Sequence, residues 1–157
     1  MSAPFQVRRA VPADQAAIAE FNTRLAWETE RLQLDPPTIA AGVLAVLNDG
    51  SHGVYFVAEA EGQLIGQCSV TYEWSDWRNG DLWWLQSVYV DAAWRGRGVF
   101  RELFREVERT ALAAGAVGLR LYVEEHNTGA QATYRRHGME KTHYLMFEKG
   151  LEQPRAV

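Results

Sequence analysis

The sequence predicts an α/β domain built on one mixed β-sheet covered by helices. Three features lead there. Apolar segments of strand length alternate with segments whose apolar residues recur every three or four positions. These pieces fall in the order β-α-α-β-β-β-α-β-α-β. The chain has 157 residues, 47% hydrophobic and 23% charged, which supplies a real core and excludes a disordered chain.

"FQVRRA" reads as a short first strand. Pro12 and Asp14 open a helical pattern in which Ile18, Phe21 and Leu25 share one face. "LDPPTIAAGVLAVLND" is a second helix, started by its prolines and stopped near Asn48, Asp49 and Gly50. "GVYFVAEAEGQLIGQCSVTYEW" is a hairpin that turns at Glu61 and Gly62. "DLWWLQSVYVD" is apolar enough for a strand buried on much of both faces. Val99, Leu103, Val107 and Ala111 form a helical stripe that stops at Gly115. "VGLRLYVEE" alternates as a strand, "NTGAQATYRRHG" fits a short helix, and "KTHYLMFEK" reads as a last strand. No repeat, low-complexity stretch or linker interrupts this order, so residues 1–157 are expected to form a single domain.

Composition narrows the function. A net charge of −4 argues against nucleic acid as a partner, because phosphate-backbone binding needs a basic surface. The cations are 14 Arg against 2 Lys, and Arg is the better planar partner for phosphate or carboxylate. A lone cysteine, Cys68, excludes an internal disulfide and suits a reducing compartment. "MSAPFQVRRAVPAD" carries no signal-peptide pattern, and no run reaches the ~18 apolar residues of a membrane span, so a cytoplasmic protein is expected. His52, His126, His137 and His143 have no metal-ligand spacing, and no metal is expected.

The most informative stretch is "VDAAWRGRGVFRELF", where a strand hands over to a helix. A helix start presents unpaired N–H groups and the positive end of the helix dipole, which together attract an anion. Gly96 and Gly98 let a phosphate approach the backbone closely, and Arg95, Arg97 and Arg101 add charge around it. The competing reading is a tight turn with solvated arginines. A dinucleotide fingerprint fails, since Arg101 stands where its third glycine belongs and Ala116 where its acid belongs. A P-loop fails as well, for want of any Gly-Lys-Ser/Thr triplet. Further on, "NTGAQATYRRHGM" has Asn127 as a helix N-cap and Gly138 as a left-handed C-cap. Asn127, Ala130 and Tyr134 then line one helix face, with a small residue between two polar ones. A Tyr packed in the core with its hydroxyl satisfied is the alternative there.

Taken together, Arg95-Gly-Arg-Gly98-Val-Phe100 followed by Asn-x-x-Ala-x-x-x-Tyr-x-x-x-Gly-Met resembles the GNAT superfamily of N-acetyltransferases. The resemblance runs over residues 5–148 in element order and is strongest over 83–139. It implies a mostly antiparallel sheet whose central strands splay apart, with acetyl-CoA lying in the gap. Val88, Tyr89 and Val90 would line the pantetheine arm, with backbone groups of Val88 and Val90 pairing like an added strand. Arg95, Gly96, Arg97, Gly98, Val99, Phe100 and Arg101 would surround the pyrophosphate, and Asn127 would help hold the coenzyme. Tyr134 would protonate the departing thiolate, a reasonable match of a phenol near pKa ~10 with a thiol at ~8.5.

The chain departs from the family pattern twice: Phe100 stands where the loop has its last Gly or Ala, and Gln86 where many members carry a Glu as general base. A Lys-like amine of pKa ~10.4 gives up its proton near pH 7.4 only at roughly 4 kcal/mol. Gln86 can position an amine or water but cannot take a proton. Glu28, Glu30, Glu73, Asp76, Glu124 and His126 remain as candidates, and an amine of low pKa needs no strong base. Trp27, Trp74, Trp77, Trp83 and Trp84 occur beside Glu28, Glu30, Glu73, Asp76 and Asp81, a combination that suits an ammonium ligand. Strand core and a subunit interface are the alternatives for these tryptophans. The stretch "VTYEWSDWRNGDLWWLQSVYV" is also loosely similar to diamine N-acetyltransferases. The resulting expectation is a homodimeric, acetyl-CoA-dependent N-acetyltransferase. Its acceptor is a primary amine of a small molecule or of a protein N-terminus or lysine, attacking directly. An acyl-CoA-binding module without turnover, or a transferase of another acyl group, stands as the alternative.

Overall fold

In the computed structural model, which describes residues 4–152, the apolar segments of the first 122 residues pair into one five-stranded sheet. The strands are β1 (Gln6–Arg9), β2 (Val54–Ala60), β3 (Gln63–Ser75), β4 (Gly80–Val90) and β5 (Gly118–Leu121), adjacent in chain order. Neighbours from β1 to β4 run antiparallel, joined by short connections or by the helices α1 (Gln15–Glu30) and α2 (Pro36–Asn48). β5 runs parallel to β4. A parallel pair cannot be joined by a tight turn, and α3 (Val99–Ala113) provides the crossover.

Alternation along β2 assigns the helices to opposite faces. Tyr55 and Val57 join Ile18 of α1 and Val43 of α2 in one buried cluster. Phe56 and Ala58 point the other way, and Gly66, the register partner of Ala58, lies on that side against α3. A Cβ on Gly66 would stand 2.9 Å from Val99 Cγ1, so the helix rests on bare backbone there. The α3 stripe of Val99, Leu103, Val107 and Ala111 is buried as expected, with Phe104 added to it. Asp14 ties the helical layer to the sheet edge. Its carboxylate accepts from Val11 N at 2.8 Å and from Arg8 at 2.8 Å, and Arg8 also reaches Glu59 of β2 at 3.0 Å. The Arg8 guanidinium, helped by the Val11 amide, holds the Asp14 carboxyl below the usual carboxylate range.

Residues from 123 onward form a second compact unit. It contains α4 (Thr128–Arg136), capped as the sequence suggested: Asn127 Oδ1 accepts from Ala130 N at 3.1 Å, and Gly138 has φ +86°. Two sequence expectations fail. The strand expected over "VGLRLYVEE" stops at Leu121, and residues 141–149 form no strand. "KTHYLMFEK" has the composition of a strand but gains neither a ladder partner nor a buried face; Leu145 is 83% and Phe147 91% exposed. Among the described residues no helix is long and apolar enough to cross a membrane.

Candidate active site

The sheet opens beside β4. Leu82, Trp83, Trp84 and Leu85 pair with Gly118, Leu119, Arg120 and Leu121, and there the β4–β5 ladder ends. β4 itself runs on to Val90. From Gln86 to Val90 that edge has no strand partner on the β5 side among the described residues, so no ladder continues along it.

Within this unpaired stretch the strand is irregular. Gln67 of β3 pairs with Tyr89 and Ser69 pairs with Gln86, so β4 carries one residue more than β3 between the same two points. This is a β-bulge, and Ser87 in it has φ +50°. The left-handed region costs an ordinary residue roughly 1–2 kcal/mol, so the conformation must be held from outside. Two β3 side chains hold it. Ser69 Oγ donates to the carbonyl of Gln86 at 3.1 Å, and Gln67 Nε2 donates to the carbonyl of Ser87 at 3.1 Å. The extra residue also shifts side-chain parity, so Gln86 and Tyr89 both face the α1 side.

The strand then delivers the chain to the glycine loop. Asp91 organises a single 3₁₀ turn, Ala92–Trp94, by accepting from Ala93 N at 3.0 Å and Trp94 N at 2.8 Å. Gly96 and Gly98 follow with φ +77° and +84°, conformations that a side chain would strain. A Cβ at Gly96 would project into open space, while one at Gly98 would come nearest the flexible end of Arg101, at 2.9 Å. Gly98 is the N-cap of α3 and has no side chain to cap it, and the helix ladder starts with Glu102 N donating to Gly98 O at 3.2 Å. First-turn amides ahead of Glu102 thus have no intrahelical acceptor. The nearby cations are partly committed. Arg97 lies over the Trp94 ring at 5.1 Å, and Arg101 Nε is 3.4 Å from Glu102. Arg95 folds back, with Nε on the carbonyl of Val90 at 2.9 Å and Nη2 on Glu28 at 2.8 Å.

The acids proposed from sequence fall into two groups. Glu28 and Glu73 are engaged. Glu28 accepts from Arg95 and from the Tyr89 hydroxyl at 3.2 Å, and burial together with the Glu28 charge raises the Tyr89 phenol above its ordinary range. Glu73 pairs with Arg120 at 2.9 Å and accepts from the Trp84 indole at 3.2 Å. Arg120 also lies over the Trp84 ring at 5.9 Å, and Tyr122 packs on the same ring at 4.7 Å. Glu30 and Asp76 are exposed on the surface, as are Glu124 and His126 of the second unit. The tryptophans divide in the same way. Trp83 is core and Trp84 half-buried, whereas Trp27, Trp74 and Trp77 are exposed. Gln86 Nε2 donates to Thr71 Oγ1 at 2.8 Å, which fixes the amide on the α1 side of the sheet.

The family model described as "Acetyltransferase (GNAT) family" matches residues 17–139. The chain belongs to the GNAT family of acetyltransferases. It is 29% identical over 159 residues to an aminoglycoside N(6')-acetyltransferase type 1 of Stenotrophomonas maltophilia, covering 99% of this chain and 98% of that protein. It is also 29% identical over 89 residues to a thialysine N-epsilon-acetyltransferase of Bos taurus, covering 54% of this chain and 52% of that one. The crystal structure of a possible acetyltransferase from Clostridium difficile 630 superposes with a TM-score of 0.88 at 41% identity, covering 95% of this chain and 99% of the other.

In this GNAT acyltransferase the ring of Phe100, which stands where the family loop has its last Gly or Ala, packs on Phe104, 5.9 Å between centroids. In the second unit Tyr134 lies on α4 half-buried, one turn beyond Ala130. Asn127 spends its carbonyl oxygen on the α4 cap, which leaves the NH₂ end for any coenzyme contact. Cys68 is buried and its thiol is pushed up to about 12 by desolvation, an environment that disfavours the nucleophilic thiolate. Sequence reasoning missed Gln67, Ser69 and Arg120. The signal for the first two was present: in "GQCSV" polar residues alternate with apolar ones inside an otherwise buried strand.

Proposed function

We infer that this GNAT acyltransferase moves an acetyl group from acetyl-CoA to the primary amine of a small molecule, in a direct attack. The observation that carries the donor half is the free β4 edge leading straight into the left-handed glycines at the start of α3. The residues present suit such a donor. An unpaired strand edge matches the amide-rich pantetheine arm, and uncapped first-turn amides match a diphosphate. Acetyl-CoA would supply an activated thioester; the chain supplies binding, orientation and proton transfer.

In this reading Val88 and Val90 present backbone groups to the pantetheine arm. The Val90 carbonyl already accepts from Arg95, so its N–H is the more available partner. Amides of residues 96–101 hold the diphosphate, with Arg97 and Arg101 as mobile counter-charges and Asn127 as a further donor. Amides at the β4 bulge meet the negative charge that develops on the acetyl oxygen. Tyr134 gives its proton to the departing thiolate.

The acceptor half rests on the acids. Glu28 and Glu73 are both engaged by arginine, so neither carboxylate stands ready to face an incoming amine alone. Gln86 cannot accept a proton. The acceptor is therefore an amine that reaches the site already neutral, positioned by Gln86 with Thr71 and bordered by Trp84. The two relatives named for amine acetylation, one on aminoglycosides and one on thialysine, support a small-molecule amine. Trp27, Trp74 and Asp76 belong to the outer rim of the acceptor side in this proposal, and Glu30 is the least engaged of the proposed bases. A cytoplasmic homodimer is proposed on the reduced, buried Cys68 and on the family resemblance.

Two measurements test this. Calorimetric titration with coenzyme A is expected to give saturable one-site binding. Thiol release from acetyl-CoA is expected with at least one amine of a panel of amino sugars, amino acids and polyamines, and to fall as pH drops below the amine pKa. Binding without release for any amine establishes the coenzyme-binding module instead; no binding at all ends the acyltransferase assignment.

A further inference from the structure

Buried side chains beneath the β4 bulge grip it by two separate routes, one through Gln67 and one through Ser69. Asn22 of α1 donates through Nδ2 to the Tyr55 hydroxyl at 3.1 Å. Gln67 Nε2 donates to Asn22 Oδ1 at 3.3 Å and to the carbonyl of Ser87 at 3.1 Å. Ser69 Oγ donates to the next carbonyl, that of Gln86, at 3.1 Å. Gln67 is wholly buried, and Asn22, Tyr55 and Ser69 are buried with it.

The orientation of Gln67 is informative. Its NH₂ end serves two acceptors, while Oε1 is buried with no partner among the described residues. Turning the amide over would set Oε1 against two other oxygens, so the two acceptors dictate the direction and leave the carbonyl orphaned. A buried orphan acceptor is unfavourable, and an apolar side chain of similar size would avoid it. The feature explained by retaining an amide here is the carbonyl of Ser87, which the bulge has taken out of the β3–β4 ladder. With both bulge carbonyls turned into the sheet interior and held, the peptide planes of residues 86–88 are fixed. Their amides are fixed with them, on the strand whose other edge is free.

We propose that Gln67 and Ser69 are positioning residues. Gln67, anchored through Asn22 and Tyr55, clamps the Ser87 carbonyl while Ser69 clamps that of Gln86; together they hold Ser87 in the left-handed conformation and thereby aim the bulge amides at the acetyl oxygen. The proposal rests on the acetyltransferase reading for its last step, but the clamp itself is a statement about the unliganded chain.

The test separates the two. Gln67→Met removes the donor at nearly constant volume, Ser69→Ala removes the hydroxyl, and Ser69→Thr restores it. Backbone carbon shifts of Ser87, measured by NMR on the full chain without ligand, report whether φ stays positive. They are expected to leave the left-handed range in Gln67→Met, to shift in Ser69→Ala and to remain in Ser69→Thr. Unchanged Ser87 shifts in both deletions overturn the clamp whatever the enzyme does. Where Gln67→Met does not fold, Ser69→Ala decides alone. In the functional arm, thiol release from acetyl-CoA uses the panel amine that wild type turns over fastest. Each deletion is expected to lower kcat at least tenfold, with coenzyme A affinity unchanged within twofold. Adding Ser87→Gly, which tolerates positive φ without help, is expected to recover part of kcat in Gln67→Met. A role in packing alone gives no such recovery, and its absence also overturns the proposal. Failure of wild type to bind coenzyme A would instead remove the acetyltransferase reading and leave the clamp to the NMR result.

Discussion

The left-handed backbone at residues 96 and 98 is made of glycine, whereas at residue 87 of β4 it is made of serine. In the proposed function the loop is bare on the side where the diphosphate would approach, and its left-handed positions are residues with no side chain. The bulge lies against β3 and can be gripped from behind, so the chain uses an ordinary residue and holds it with Gln67 and Ser69. The contrast teaches that one conformational problem has two solutions, chosen by what lies on the far side. Under the proposed function it also implies a division of labour, in which the loop would govern affinity for the coenzyme and the bulge would govern rate.

The largest effect is expected outside both regions, in the residue assigned to proton delivery. Tyr134→Phe should lower kcat about 100-fold, the lower range for a general acid, with coenzyme A affinity intact by calorimetry. Loss of affinity without loss of rate would invert the division. Next comes Gly98→Val. A β-branched residue forced to φ +84° incurs the left-handed penalty, and the nearest side chain, that of Arg101, can swing aside. The fold should survive, with coenzyme A bound about tenfold more weakly, corresponding to about 1.4 kcal/mol.

Asp14→Asn sharpens the comparison as a control remote from loop and bulge. Losing a charge-assisted pair with Arg8 should reduce stability to urea by about 1.5–3 kcal/mol at pH 7, without altering coenzyme A affinity. Because the folded state depresses the Asp14 pKa, this contribution is complete above the unfolded value of ~3.9 and is lost as pH falls through the folded value. The gap between wild type and variant should therefore close in acid. Glu28→Gln is expected to do least. Its pair with Arg95 is largely exposed, and such pairs contribute about 0–1 kcal/mol, so kcat should change by threefold at most. A fall of 100-fold would make Glu28 the general base.

Much of this was legible in the residues themselves. The two glycines between arginines and the Asn127–Gly138 helix are punctuation that acts locally, and the backbone conformations expected there are the ones found. The stripe on α3 was equally plain, because periodicity reports burial directly. The bulge was not, since "LQSVYV" looks regular until its register against "GQCSV" is known, and register is a property of the pair. The pairing of Glu73 with Arg120 was hidden for the same reason, as the two residues meet only across β3, β4 and β5. Residues 141–149 show the reverse failure, where alternation suggested a strand that found no partner.

The most direct measurement is a titration of the isotopically labelled chain with coenzyme A, followed through every assigned backbone amide. Gly96, Gly98 and the first turn of α3 are expected to shift most, followed by the β4 edge from Gln86 to Val90, saturating together with one dissociation constant. Binding that leaves those amides still, or shifts centred elsewhere on the chain, would contradict the assignment of this edge and loop as the coenzyme site.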